Sequence, residues 1–171
     1  VVDPGGTAGG PLRVVSLYAP NGRVVGSPFF AGKLRWFERL ERWLRECCSP
    51  DDALVVGGDF NIAPTDDDVW DPAAAHGGTH VSEPERAAFQ ALLDWGLVDA
   101  YRLKRSEPGR FTWWDYRAGN FHKGFGMRID LVLASKALAE RSRWAYVDRN
   151  ARKGEAPSDH APVIVDFADP S

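Results

Sequence analysis

Residues 53–61 read "ALVVGGDFN". An apolar run too short for a helix meets Gly57 and Gly58, then an acid and an amide. That order predicts a short buried strand ending at a polar edge. In extended backbone, residues two apart share a face, so Asp59 and Asn61 look into one space. The two glycines allow the backbone to pass closely beside a ligand. A carboxylate beside an amide can handle a water, the acid accepting its proton and the amide holding an oxygen. Taken alone, "GDFN" equally fits a turn closed by Asx hydrogen bonds.

Two later stretches change the balance: "RID" at 128–130 and "SDH" at 158–160. Asp130 lies between Ile129 and Leu131 in an apolar run. An acid there faces water or is held inside by a partner such as His, Arg or a metal. Arg128 shares its face and is one such partner. Asp159 and His160 are neighbours, so in extended backbone they point apart and have different tasks. A serine triad from Ser158, Asp159 and His160 fails on the same geometry, and no G-x-S-x-G stretch exists. Zinc spacing is absent too, with His76, His80 and His122 in loop-like segments. An oxygen-rich, cysteine-free site favours Mg2+ or Mn2+, which stabilise a leaving oxyanion. The residues point to metal-assisted hydrolysis of a phosphate ester.

The surrounding chain reads as alternating strands and helices. "LRVVSLY" at 12–18 is a strand stopped by Pro20 and the Asn21-Gly22 turn. Ser27-Pro28 opens a helix with a stripe at Phe30, Leu34, Phe37, Leu40 and Leu44. Thr65 followed by Asp66, Asp67 and Asp68 is a helix start in preference to a metal cluster. Ser82 and Glu85 form a capping box before a second long helix. Strands are expected at 109–117, 127–135, 143–148 and 162–167. The result is an α/β layered domain.

The 171 residues suit a single domain with a buried core, and 44% hydrophobic with 26% charged is a globular balance. The net charge of −3 argues against attachment to nucleic acid by bulk charge alone. Basic residues still cluster locally, at Arg102, Lys104, Arg105 and Arg110, then Arg117, Lys123 and Arg128. Cys47 and Cys48 are adjacent and cannot readily bridge, so reduced thiols and a cytoplasmic setting are expected. No apolar run approaches membrane-spanning length.

The stretches "YAPNG", "GGDFNIAPTDDDVWDP", "WGLVDAYR", "FTWWDYR", "GMRIDLVLAS" and "SDHAPV" occur in that order. Together they resemble the bacterial type of the exonuclease III family of Mg2+-dependent apurinic/apyrimidinic endonucleases, in the endonuclease/exonuclease/phosphatase superfamily. The resemblance runs from about residue 12 to 167. It implies an α/β (α+β) fold, a four-layer α-β-β-α sandwich of two packed mixed sheets. It also implies a DNA-repair phosphodiesterase that cuts 5′ of abasic sites, with 3′-to-5′ exonuclease and 3′-phosphatase activity. The implied substrate is double-stranded DNA with abasic sites or blocked 3′ ends, met by a cytoplasmic monomer.

By the same resemblance, Asp59 activates the attacking water and Asn61 is the amide beside it. Asp130 pairs with His160, which contacts the scissile phosphate together with Tyr18. Asp159 is the metal-site aspartate. Asn21, Arg23 and Arg128 are DNA contacts, and Trp113, Met127 and Ile129 line a pocket for a flipped-out abasic sugar.

One departure stands at the front, where the chain starts "VVDPGG" without Met. The family carries more chain before "YAPNG", including an early Asn and the Glu that is a principal metal ligand. Neither is here. The expectation is therefore a fold incomplete on its N-terminal side, weak Mg2+ binding, little nuclease activity and marginal stability for these residues alone. Two rivals remain: a phosphoesterase for lipid or inositol phosphates, and a non-catalytic module that binds DNA or a partner.

Overall fold

The computed structural model describes residues 11–169. Its elements are β1 (Arg13–Tyr18), α1 (Pro28–Cys47), β2 (Leu54–Asp59), α2 (Pro72–Ala75), α3 (Glu83–Trp95) and β3 (Leu97–Asp99). They continue as α4 (Asn120–Lys123), β4 (Asp130–Ser135), α5 (Lys136–Ala139), β5 (Ser142–Val147) and β6 (Val163–Phe167). A mixed sheet runs β1-β2-β4-β3, with β1 and β2 parallel and the other pairings antiparallel. β5 and β6 form a second, antiparallel sheet.

Local chemistry starts and stops the long helices. The Ser27 hydroxyl accepts from the Phe30 N–H at 3.2 Å, and Pro28 occupies the first turn of α1. Ser82 and Glu85 close a capping box on α3, and Gly96 at φ 127° ends it. Phe37 and Leu44 of α1 and Phe89 and Leu92 of α3 pack over Leu54, Val56, Leu131 and Leu133 of the mixed sheet. Each fully buried side chain of this kind contributes about 1.5–3 kcal/mol.

The opposite face of the mixed sheet is also covered. Val55, Val98, Val132 and Ala134 meet Val165 and Phe167 of β6. A strand buried on both faces has no polar alternation, which is why "ALVV" reads as one apolar run. Among the described residues the layers are therefore helices, mixed sheet and second sheet. The outer face of that second sheet carries exposed Trp144, Tyr146 and Ile164, the two rings stacked at 5.6 Å.

Two strand expectations need correction. Residues 109–117 form no strand; Trp113 makes only single bridges, to Met127 and to His160. β4 begins at Asp130 rather than at 127, because Met127 exchanges backbone hydrogen bonds with Trp113 instead (2.9 and 3.0 Å). The strand Leu97–Asp99 is too short to show a periodicity of its own. Asp66–Asp68 is a single 3-10 turn capped by Thr65, in line with the helix-start reading.

Candidate active site

Sheet register gathers the polar residues. Tyr18 is the partner of Asp59 across β1 and β2, and Asp59 is the partner of Asp130 across β2 and β4. The parallel and antiparallel pairings thus bring the last residues of β1 and β2 and the first of β4 to one edge.

Asn61 follows Asp59 at φ 51°, a left-handed conformation that Asn tolerates well. Its backbone N–H donates to Asp59 Oδ1 at 2.8 Å, and its side-chain amide donates to Asp59 Oδ2 at 2.9 Å and to the Ala19 carbonyl at 3.0 Å. The Asx turn and the functional corner are therefore one structure. Burial and the neighbouring Asp130 raise the Asp59 carboxyl, against the Asn61 N–H, to about 6.

His160 faces the same corner, and its Nδ1 lies 2.8 Å from Asp130 Oδ2. Burial lowers the imidazole, but hydrogen bonding and attraction to Asp130 outweigh it and raise the pKa above the ordinary 6.5. Asp159 points elsewhere, as adjacency required, and its Oδ2 accepts from Trp113 Nε1 at 3.0 Å. Tyr18, 68% exposed, stands at the rim. Exposed Asn21 and Arg23 follow it, with the Arg23 N–H donating to Asn21 Oδ1 at 3.0 Å. Half-buried Trp113 and Met127 pack on the cluster around Ile129.

Two of the expected DNA contacts are buried. Arg128 is fully buried, with Nε 2.7 Å from Asp68 and Nη1 2.8 Å from Asp99. A guanidinium so enclosed is a structural ion-pair partner, and it does not pair with Asp130. Ile129 is buried beside Ala63, Val69 and Val81, and Trp113 and Met127 pack against that cluster. Arg102 also turns inward, onto Asp68.

The donor set is poor for a resident ion. Among the described residues, no three or more His, Cys, Asp or Glu side chains converge as a metal shell would require. Asp59, Asp130 and Asp159 supply charge at the edge but do not by themselves fit a held Mg2+.

Three buried residues at the site escaped the sequence. Lys33 donates from Nζ to the Asn61 carbonyl at 2.6 Å and pairs with Glu85. His80 Nδ1 lies 2.6 Å from the same carbonyl oxygen. The signal for Lys33 was its place between Phe30 and Phe37 on the buried face of α1, at helical spacing. Glu85 was legible only as a cap, and His80 only as a loop residue.

A family model described as the endonuclease/exonuclease/phosphatase family matches residues 1–160. Exodeoxyribonuclease III of Haemophilus influenzae is 33% identical over 169 residues, covering 92% of this chain and 62% of that protein. A 3′ phosphatase from Neisseria, solved with a product DNA hairpin, superposes with a TM-score of 0.87 at 41% identity, over 92% of this chain and 61% of that one. An AP endonuclease from Archaeoglobus fulgidus gives a TM-score of 0.86 at 35% identity, over 90% and 60%. The chain thus spans about three fifths of the length of each of these three relatives.

Proposed function

This chain belongs to the endonuclease/exonuclease/phosphatase family, and we propose that its site hydrolyses phosphoesters in DNA: the bond 5′ of an abasic site, and phosphates or nucleotides at 3′ ends. The observation that carries this reading is the meeting of two pairs, Asp59 with Asn61 and His160 with Asp130, at one sheet edge.

Each group has a task it is suited to. A carboxylate poised near 6 is ionised at neutral pH yet basic enough to take a proton from water in the transition state. Asn61 fixes the direction of its oxygens. Asp130 accepts from Nδ1 of His160, which keeps that ring in one orientation and favours its charged form. The second ring nitrogen then donates to a phosphate oxygen as negative charge develops. Tyr18 reaches the same phosphate from the rim, Asn21 and Arg23 hold the DNA backbone, and Trp113 with Met127 forms the floor on which the terminal or baseless sugar rests. Asp159 would be the ligand from this chain for Mg2+ or Mn2+, although the described residues alone form no complete shell for it. The ion is held weakly, and turnover by these residues alone is slow. Such an ion neutralises phosphate charge when bound.

A second reading has one observation in its favour. The sparse ligand set among the described residues suits a module that binds DNA without turnover. The experiment offers the chain an abasic duplex, a recessed 3′ end and a 3′-phosphate oligonucleotide, with Mg2+ or Mn2+, beside Asp59→Asn. Turnover that the substitution reduces by roughly 10²–10⁴ supports the hydrolase. Binding without product, equal in both proteins, supports the module.

A further inference from the structure

The Lys33 ammonium is fully buried, and its three N–H bonds meet three acceptors from three segments. They are the carboxylate of Glu85 on α3, the Asn61 carbonyl at 2.6 Å and the Asn21 carbonyl at 3.3 Å. Glu85 is saturated in turn. It accepts from the His80 N–H at 3.0 Å on one oxygen, where the Thr79 hydroxyl at 3.3 Å divides its single proton with the Asn21 carbonyl at 3.1 Å, and from the Ser82 N–H and hydroxyl on the other. Burial would raise the Glu85 carboxyl, but Lys33 and these donors outweigh it and hold it below the usual carboxylate range.

The Asn61 carbonyl can only accept, so the His80 nitrogen 2.6 Å from it, Nδ1, carries the proton. Nε2 of that ring is then an acceptor, and it faces Asn21 Nδ2 at 3.5 Å. Asn21 Nδ2 also donates to Asn61 Oδ1 at 3.2 Å, while its own Oδ1 accepts from Arg23. With its oxygen engaged by Asn21, Asn61 turns its NH2 toward Asp59. A chain of directed hydrogen bonds therefore runs from the buried ion pair to the water-handling carboxylate.

From this we propose that Lys33, fixed by Glu85, is a positioning residue: with neutral His80 it clamps the Asn61 carbonyl and sets the amide orientations of Asn61 and Asn21 around Asp59. Lys33 makes no hydrogen bond to Asp59, so its effect on that carboxylate is transmitted through Asn61 and Asn21. The inference rests on the phosphoester-hydrolase reading for its catalytic consequence, but the clamp itself is a statement about side-chain geometry.

The test uses the full chain and the double variant Lys33→Met with Glu85→Gln, which keeps volume and leaves no unpaired buried charge. In NMR spectra, the side-chain NH2 protons of Asn61 should exchange with solvent at least roughly tenfold faster in the folded variant, as expected when a buried hydrogen-bonded unit opens. On the 3′-phosphate oligonucleotide, kcat should fall at least roughly tenfold, by more than KM rises, the pattern of a group whose main effect is on the transition state. Unchanged exchange, or unchanged kcat, in a folded variant overturns the proposal. Nitrogen-15 shifts of unsubstituted His80 give a reading that needs no variant: a neutral ring protonated at Nδ1 is expected, and one protonated at Nε2 overturns the clamp. If the unsubstituted chain turns over none of the substrates, that counts against the hydrolase reading, and the exchange and tautomer results alone decide the clamp.

Discussion

His160 and Asp130 are 30 residues apart in the chain and 2.8 Å apart in the fold, imidazole Nδ1 against carboxylate Oδ2. The pair raises the histidine above its ordinary 6.5. Asp130→Asn removes the negative charge and should lower the His160 pKa, read directly from the ring protons by NMR titration. The sign follows from linkage. A histidine raised in the folded state contributes stability that is fully present below pH 6.5 and is lost as pH rises through the folded value. The substituted protein should therefore lose stability relative to the parent mainly on the acidic side of that window. An unshifted histidine titration would show that the pair has no electrostatic consequence.

Asp59 runs in the opposite sense. Its carboxyl, raised from 3.8 to about 6, binds a proton more readily in the folded protein than in the unfolded chain. It therefore costs stability above pH 6, and the cost fades as pH falls toward 3.8. Asp59→Asn should stabilise the protein at pH 7 by about 1–2 kcal/mol after allowance for solvent screening. The gain should vanish near pH 4 in denaturant melts. The same substitution should remove most turnover, and the parent rate should fall on the acid side with a limb near 6.

The sequence carried the parts of this site that depend on local order, and missed those that depend on distance. "GGDFN", "RID" and "SDH" are legible because an acid at the end of an apolar run is unusual wherever the strands end up. Helix α1 was legible from its cap and stripe. Lys33 was not, because a cation on a helix normally faces water, and only Glu85, 52 residues away, makes its burial tolerable. Arg128 misled for the same reason. A basic residue beside a site acid looks like a phosphate contact until Asp68 and Asp99, from two other segments, enclose it.

That correction separates two arginines experimentally. Arg128→Ala takes one of two arginines from buried Asp68, leaving Arg102, and removes the partner of Asp99; it should cost about 1–3 kcal/mol of stability in thermal or denaturant melts. Where the variant remains folded, the salt dependence of DNA binding should be unchanged. Arg23, exposed beside Asn21, should behave conversely: Arg23→Ala leaves the melt within about 0.5 kcal/mol. It should weaken DNA binding across sequences and reduce the salt slope by about 1, measured by fluorescence anisotropy. Equal salt slopes for the parent and Arg23→Ala would remove Arg23 from the DNA contact surface.

Gly57 and Gly58 were expected to let backbone approach a ligand, but the close approach is to β1. A Cβ on Gly58, at φ 140°, would lie 2.0 Å from the Leu17 carbonyl oxygen, a position no side chain can share. Gly57 has no such restriction; its Cβ would sit 3.6 Å from the nearest atom, the Leu131 carbonyl oxygen, at ordinary contact distance. Gly58→Ala combines a strained backbone with a clash inside the β1–β2 pairing that places Tyr18 beside Asp59. It should cost more than about 2 kcal/mol, enough to lower the melting temperature by several degrees. Gly57→Ala should change stability by less than about 1 kcal/mol. Equal melting temperatures for the two variants would show that the second glycine is not required by the strand pairing.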